Sequence, residues 1–384
     1  MKPAARLLCA LLPAIFALYL PSASAAGFDC GKAVTLLEHA ICDTPSLSAK
    51  DEQLTALYAP LKKQKIFREL ETRWLKDVRN VCQTAACLEA AYDLQIRQLT
   101  PQPPRTEVDP NTLRPLPDGQ RYREVRDEPW PRFSLATLPG FDPENTSAQL
   151  VDLTLHNGVL HALVFLITGT DGEAMVVERS YLTPLKGTLL EYSDARGDWY
   201  EIARDVRFAG WNTSTYNDQG ERYAGVQDGV FYYRQRTQGN LQQAMAYTLD
   251  SRQPPQPSTQ LYSALSNTLR HAKARVLGNL NIDNNGLKLH YNRSAGQGIE
   301  EVMEHDAGGW SLVNPTWSET RPVLYFDNSG GFACVWRVDL ANKVLSKIVP
   351  EHEAVSAHPL EVNGREAVLY IDVDQLKIAL SPAY

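Results

Sequence analysis

Between residues 36 and 99 apolar side chains recur at spacings of three and four, the period of amphipathic helices. Leu36, Leu37, Ala40 and Ile41 form a short first stripe. Leu47, Leu54, Leu57, Tyr58 and Leu61 form a second. Phe67, Leu70, Trp74, Val78 and Val81 give a third, and Leu88, Tyr92, Ile96 and Leu99, preceded by Thr84, a fourth. Ser48 and Asp51 are read as a capping-box start of the second helix. Beyond residue 120 the pattern shifts to short strand-like runs such as Leu150–His156 and Val159–Ile167, joined by Asn157-Gly158. Asp228-Gly229, Asn285-Gly286 and Asn363-Gly364 mark further tight turns. Strand signals this dense over about 265 residues predict a β-propeller or, alternatively, a β-sandwich pair.

Pro101, Pro103, Pro104, Pro110, Pro115 and Pro117 separate the two patterns with an extended, semi-rigid stretch. The expected organisation is a leader at 1–26, a helical domain at 27–100, a proline-rich linker at 101–119 and a β-rich domain at 120–384. This is an α+β multidomain chain. Few contacts are expected to cross such a linker, so the two parts are expected to fold separately.

The first residues combine basic Lys2 and Arg6, an apolar run from Leu7 to Leu20 broken by Pro13, and small residues at Ala23-Ser24-Ala25. That order is a cleaved secretory leader and predicts a periplasmic or secreted protein without stable membrane insertion. Cys9 leaves with the leader. Of the remaining cysteines, Cys30, Cys42, Cys82 and Cys87 cluster in the helical segment, and an oxidising compartment permits them to pair. Four cysteines allow three pairings. An antiparallel second and third helix, joined by a basic turn near Lys62–Lys65, favours Cys42–Cys82 with Cys30–Cys87. Cys334 shares a strand face with Phe332, Trp336 and Val338 and is expected to be a buried small hydrophobe.

Without Lys2 and Arg6 the net charge moves from −7 to −9. Residues 27–100 hold ten basic and ten acidic side chains, so the surplus lies wholly beyond residue 100. An acidic body argues against a nucleic-acid partner, which requires phosphate neutralisation. It suits solubility, and it steers basic partners.

Two segments resemble known families. Phe28-Asp29-Cys30-Gly31-Lys32-Ala33, Glu38-His39-Ala40-Ile41-Cys42, Leu47, Asp51 and Leu57-Tyr58 are similar to the LprI-like lysozyme-inhibitor domain family. Arg73-Trp74-Leu75, Arg79, Cys82, Cys87-Leu88 and Tyr92 extend the resemblance over residues 28–99. It implies an envelope protein, with inhibition of lysozyme-type peptidoglycan hydrolases attested for a founding member. Glu38, Asp51, Trp74 and Arg79 are expected to form an internal network that locks helix packing, with Trp74 in the core. Arg321 to Asp339, followed by Lys347-Ile348-Val349-Pro350 and Ala367 to Asp372, resembles one blade of a TolB-type propeller.

Catalytic motifs are absent. There is no His-Glu-x-x-His, no Gly-x-Ser-x-Gly and no phosphate-binding Gly-x-x-x-x-Gly-Lys. The eight histidines do not gather along the chain. Asp283-Asn284-Asn285-Gly286 lacks the further carboxylates of a calcium loop and reads as a turn. Glu300, Glu301 and Glu304 are plentiful acids whose separation the sequence does not fix. The loop Asn292 to Gly298 carries Arg293 and Ser294, candidate partner-binding residues able to enter a carboxylate-lined cleft. No cofactor and no metal are expected. The expected function is a non-enzymatic binding protein, an inhibitor or immunity factor against a lysozyme-type peptidoglycan hydrolase. A cell-envelope interaction scaffold is the alternative.

Overall fold

The structure, a computed structural model, describes residues 26–101 and 112–382. Excepted are 127–128, 171–174, 178–179, 183, 210–223, 238–241, 263–278, 284–285, 292–297, 305–310, 319, 330–333 and 351–353. The leader therefore lies outside the described residues. The chain forms a small disulfide-containing helical region followed by a large all-β body.

The helices are α1 (Leu36–Asp43), α2 (Pro45–Tyr58), α3 (Lys65–Trp74) and α4 (Ala85–Leu99). Each expected stripe gives a helix, but Leu61 and Val81 fall in turns beyond the helix ends, and Leu36 and Val81 are exposed. The capping box sits elsewhere than expected. At α1 the Glu38 backbone N–H donates to Thr35 Oγ1 at 3.1 Å, and the Thr35 N–H donates to Glu38 Oε2 at 2.9 Å. Helix α2 instead opens on Pro45, whose fixed φ suits a first turn. Ser48 and Asp51 consequently fall on its buried face. A π-helical turn, Leu75–Arg79, follows α3 and carries the chain toward Cys82.

The disulfides are Cys30–Cys42 and Cys82–Cys87, which corrects the expected cross-helix pairing. Cys30 opens a short 3-10 turn, Cys30–Lys32, which lies against α1, the helix carrying Cys42. Cys82 and Cys87 flank the entry to α4. Each bridge thus staples neighbouring chain, across separations of 12 and 5 residues. The helices are joined by other means. Trp74 Nε1 donates to the Ala91 carbonyl at 3.1 Å, and the Trp74 and Tyr92 rings meet edge-on at 5.1 Å. With Trp74 at 4% exposure, its expected core role holds in the geometry.

The strands run β1 (Arg123–Val125), β2 (Arg132–Thr137), β3 (Ser147–His156), β4 (Val159–Thr170), β5 (Met175–Val177), β6 (Ser180–Leu182), β7 (Leu185–Ser193) and β8 (Asp198–Ala209). Then come β9 (Gly225–Gln227), β10 (Val230–Arg236), β11 (Gln242–Thr248), β12 (Gln256–Pro257), β13 (Asn279–Asp283), β14 (Gly286–Tyr291) and β15 (Gly298–Glu304). The last are β16 (Ser311–Trp317), β17 (Val323–Ser329), β18 (Val335–Asp339), β19 (Val344–Val349), β20 (Ala354–Val362), β21 (Arg365–Asp372) and β22 (Gln375–Leu380). The expected hairpins at Asn157-Gly158, Asp228-Gly229 and Asn363-Gly364 form, and Asn157, Asp228 and Asn363 adopt positive φ there. The expected short helix at 270–277 lies outside the described residues.

These strands make an eight-stranded sheet (β12-β11-β10-β8-β7-β4-β3, with β9 on β10) and sheets β1-β19-β18-β17-β16, β2-β22-β21-β20 and β13-β14-β15, with a β5-β6 hairpin. The blade-like stretch from Arg321 therefore divides. Its first three strands, β17 to β19, share one sheet, while Ala367–Asp372 lies in β21 of the next.

Strand alternation stacks the sheets. Leu369, Ile371, Ile378 and Leu380 of the four-stranded sheet enter one cluster with Phe67, Trp74 and Leu99 of the helices and with Ala162, Val164 and Tyr192 of the eight-stranded sheet. From the same four-stranded sheet Val368, Tyr370 and Ala379 join Val323, Tyr325 and Ile348 of the five-stranded sheet. That sheet's other residues, Leu324, Phe326, Trp336 and Val338, pack with Leu287 and Leu289 of the three-stranded sheet. Cys334 belongs to neither disulfide and is buried in this last cluster with Trp336 and Val338, as a small hydrophobe; Phe332 lies outside the described residues.

A buried ion network ties two of these sheets together. Glu366 of β21 accepts from Arg337 Nε at 2.6 Å, Arg321 at 2.8 Å and the Tyr325 hydroxyl at 2.6 Å. Burial pushes the Glu366 carboxyl up, but Arg337, Tyr325 and Arg321 more than offset that and hold it below the usual range.

The helical region and the β body share a core, so the expectation of few crossing contacts gives way. The Lys65 backbone N–H donates to Asp194, and Lys65 Nζ to the Leu135 carbonyl. The Arg73 guanidinium lies 4.8 Å over the Phe133 ring, and Asn363 Nδ2 donates to the Leu99 carbonyl at 2.9 Å. A proline-rich connection limits where chain can run, but it does not prevent the amphipathic helices from burying their stripes on a sheet.

Two outcomes are expected. Mass spectrometry of unreduced peptides will recover Cys30–Cys42 and Cys82–Cys87, each worth about 2–3 kcal/mol for loops this short. Phe133→Ala will cost about 3–5 kcal/mol and lower a single calorimetric transition. Two well-separated transitions would show that the parts do not share a core.

Candidate functional site

The helical region is tied to the body along α3, through Lys65 and Arg73, and at the end of α4. Helix α4 is tied down at Leu99, and its 15 residues place Cys87 roughly 20 Å away along the axis. Cys42 and Cys82, one from each disulfide, are half-buried against the cluster that the helices share with the β body. The Glu38 carboxylate accepts from the Val34 N–H at 2.8 Å and is held below its usual range. The backbone N–H groups of Thr35 and Val34 are the main cause, with a smaller contribution from the Arg79 charge. The Arg79 guanidinium also lies 5.7 Å over the Trp74 ring. Val34 and Leu36, between Cys30 and Cys42, are 84% and 91% exposed, and Val81, next to Cys82, is 62% exposed. Large apolar side chains this exposed beside disulfides are candidate contact residues.

The polar network is internal, as expected for Asp51. Its Oδ1 accepts from the Tyr92 hydroxyl at 2.5 Å and its Oδ2 from the Gly27 N–H at 2.8 Å. Burial, then Asp51, pushes the Tyr92 phenol well above its ordinary value. Ser46 and Lys50 of α2 bind Glu89 of α4, and Lys50 also reaches Asp93 at 2.7 Å, which fixes the two helices side by side.

The other sequence candidates fall differently. Arg293 and Ser294 lie outside the described residues. Glu300 is buried and accepts from the Tyr122 and Tyr291 hydroxyls, from the Leu116 N–H at 3.0 Å and from Lys343 Nζ. Its neighbour Glu301 points the other way and binds Arg121 at 2.7 Å. The pair is therefore split between faces and does not flank a substrate. A shallow depression of about 140 Å³ beside them is lined by Pro117, Gly119, Lys288, Ile299 and Glu301. The Glu304 side chain is outside the described set.

One grouping was hidden from sequence reasoning. His156 and His161, read as ungathered, face each other across the β3–β4 hairpin with rings 6.3 Å apart. His161 Nδ1 lies 2.9 Å from Glu191 Oε1, and Glu191 also accepts from the Tyr247 hydroxyl and the Asp250 N–H. His161, Glu191 and Asp250 bring one ligand atom each within 4.8 Å of one another. The eight-stranded register assembles them from β4, β7 and the turn after β11; no spacing along the chain announces it.

No protein-family model and no curated sequence matches this chain. Among solved structures it is similar to one titled glycoside hydrolase, at 11% identity and a TM-score of 0.29 over 67% of this chain and 92% of the other. It is similar also to the GH43_1 enzyme from Xanthomonas citri complexed with xylotriose, at 11% identity and 0.27 over 65% and 89%. A puromycin-hydrolyzing peptidase of Mycobacterium tuberculosis follows at 12% identity and 0.21, over 67% and 47%. Scores this low assign neither activity nor residues. They do correct one expectation: these neighbours are enzymes, so the exclusion of catalysis drawn from missing motifs is withdrawn.

The disulfides fit an oxidising compartment, periplasmic or extracellular. Among the described residues no helix is long and apolar enough to cross a membrane. Asp51→Ala will orphan the buried Tyr92 hydroxyl and lower stability by about 1–3 kcal/mol in urea melts. An unchanged midpoint would show that the network does not hold the helices.

Proposed function

We propose that this chain is a cell-envelope binding protein. Its stapled helical region meets a lysozyme-type peptidoglycan hydrolase, as inhibitor or immunity factor, and occludes the hydrolase's cleft. The observation that carries this reading is the exposure of Val34, Leu36 and Val81 in chain that the two disulfides staple. Apolar side chains held by disulfides lose little entropy on docking. The resemblance of residues 28–99 to the LprI-like family supplies the class of partner. The acidic surplus of the β body supplies attraction toward a basic enzyme.

For the body itself we propose a propeller-like arrangement. Its sheets stack face to face in series, and β2, among its first strands, completes the sheet of its last, pairing with β22. Radial stacking of that kind protects sheet edges.

Binding is tested by calorimetry against a basic lysozyme and a periplasmic lytic enzyme, at two salt levels. Peptidoglycan turnover is followed with the hydrolase, with this protein, and with both. The expected result is micromolar or tighter binding with loss of hydrolase turnover. Association should slow as salt shortens the screening length below about 10 Å. Leu36→Asp with Val81→Asp should weaken binding at least about tenfold while leaving the fold intact. No binding to either enzyme overturns the reading in favour of an interaction scaffold, and turnover by this protein alone overturns it in favour of a hydrolase.

A further inference from the structure

The end of the eight-stranded sheet holds a second arrangement, independent of the helical face. β3, an edge strand of this sheet, comes against β9, where Asp152 Oδ2 accepts from the Val226 N–H at 2.8 Å. The sheet thus curls around an apolar interior of Leu163, Phe165, Phe231 and Tyr233. At one end of that interior the apolar residues give way to His161, Glu191 and Asp250, whose ligand atoms converge within 4.8 Å. His161 and Glu191 are each 2% exposed. Asp250 is held by Arg196 at 2.9 Å, and the two side chains are 35% and 45% exposed, so the group opens to solvent on their side.

A second observation concerns Ser193. It sits directly opposite His161 in the β4–β7 register and two residues beyond Glu191, so all three side chains share a face. Ser193 is 3% exposed, yet its Oγ has no hydrogen-bond partner. A buried hydroxyl without a partner costs free energy unless something else satisfies it. Serine, histidine and glutamate are also the residue types of a hydrolytic relay. That relay needs the serine bonded to the ring, and Ser193 Oγ is not.

We propose that His161, Glu191 and Asp250 form a binding site for one divalent first-row cation, with Zn²⁺ the best fit, and that Ser193 faces its fourth position. One imidazole and two carboxylates are a donor set for zinc, whereas Ca²⁺ and Mg²⁺ take six or more oxygens. Two carboxylates balance the charge of the ion. In the neutral ring the Nδ1 proton leaves for solvent and Nε2 takes one up, so His161 binds as imidazole and the ion replaces the hydrogen bond to Glu191. Outer partners are already in place: Tyr247 on Glu191 and Arg196 on Asp250. The ligands come from β4, β7 and the turn after β11, so the ion pins three elements at one end of the curled sheet.

The test uses tag-free full-length protein, stripped with a chelator and titrated with ZnCl₂ by calorimetry, with metal analysis after gel filtration. The expected result is one Zn²⁺ per chain, with Ca²⁺ and Mg²⁺ failing to compete. Asp250→Asn, at a part-exposed position, should weaken binding at least about tenfold while circular dichroism shows an unchanged fold. Ser193→Cys should tighten binding and, with Co²⁺ in place of Zn²⁺, add a thiolate-to-metal charge-transfer band. Absence of Zn²⁺ binding by the unaltered chain at micromolar concentration overturns the proposal. So does folded Asp250→Asn protein that binds as the unaltered chain does, a Ser193→Cys protein without the cobalt band, or equal affinity for Ca²⁺.

Discussion

Side chains of β21 alternate between two cores, and the remaining layers are arranged around that alternation. Ala367, Leu369 and Ile371 face the helices and the eight-stranded sheet, while Val368 and Tyr370 face the five-stranded sheet. All five are at most 1% exposed. A strand buried on both faces reads as a continuous apolar run and needs cover on each side. The helices provide one cover, which is why they cannot stand apart from the body. The five-stranded sheet provides the other, and the Glu366 network fixes its position with directional bonds where apolar contact alone would let the layers slide.

A recurring device keeps acids inside these layers. Asp51, Glu191, Glu300 and Glu366 are each buried, and each accepts from a tyrosine hydroxyl: Tyr92, Tyr247, Tyr122 with Tyr291, and Tyr325. A phenol brings a large apolar body and one donor, so it fills core volume while meeting part of the carboxylate's demand. Burial drives every one of these phenols above its ordinary value, so each remains a donor across the range in which proteins are stable. The carboxylates differ in what completes them. Glu366 and Glu300 also have cations, Asp51 has a backbone N–H, and Glu191 has a backbone N–H and an imidazole.

Local features were the legible ones. The stripes of α1 to α4, the Asn-Gly and Asp-Gly turns, and the burial of Trp74 and Cys334 all follow from periodicity and turn chemistry over a few residues. Disulfide pairing failed because it was argued from where helix ends ought to meet, whereas the bridges close over adjacent turns. The assignment of strands to sheets failed at Arg321–Asp372 for a related cause: consecutive hairpins leave one sheet for the next without any change in composition. Least visible was the meeting of His161 with Glu191 and Asp250. Thirty and eighty-nine residues separate them from the histidine, and only the β4–β7–β8 and β10–β11 registers bring them level.

The pairing of β2 with β22 has a temporal side. Ser134 and Gln375 touch across 241 positions, so the sheet that covers the helices is incomplete until the distal strand exists. At ordinary synthesis rates the interval between emergence of α4 and of β22 is roughly 15–60 s, long against the microseconds in which helices and hairpins form. Throughout that interval the stripes carrying Phe67 and Leu99 wait without their lasting neighbour. Nascent chain of this design therefore passes through a prolonged adhesive stage, and its yield in a cell is governed by how well that stage is chaperoned, whatever the finished molecule's stability.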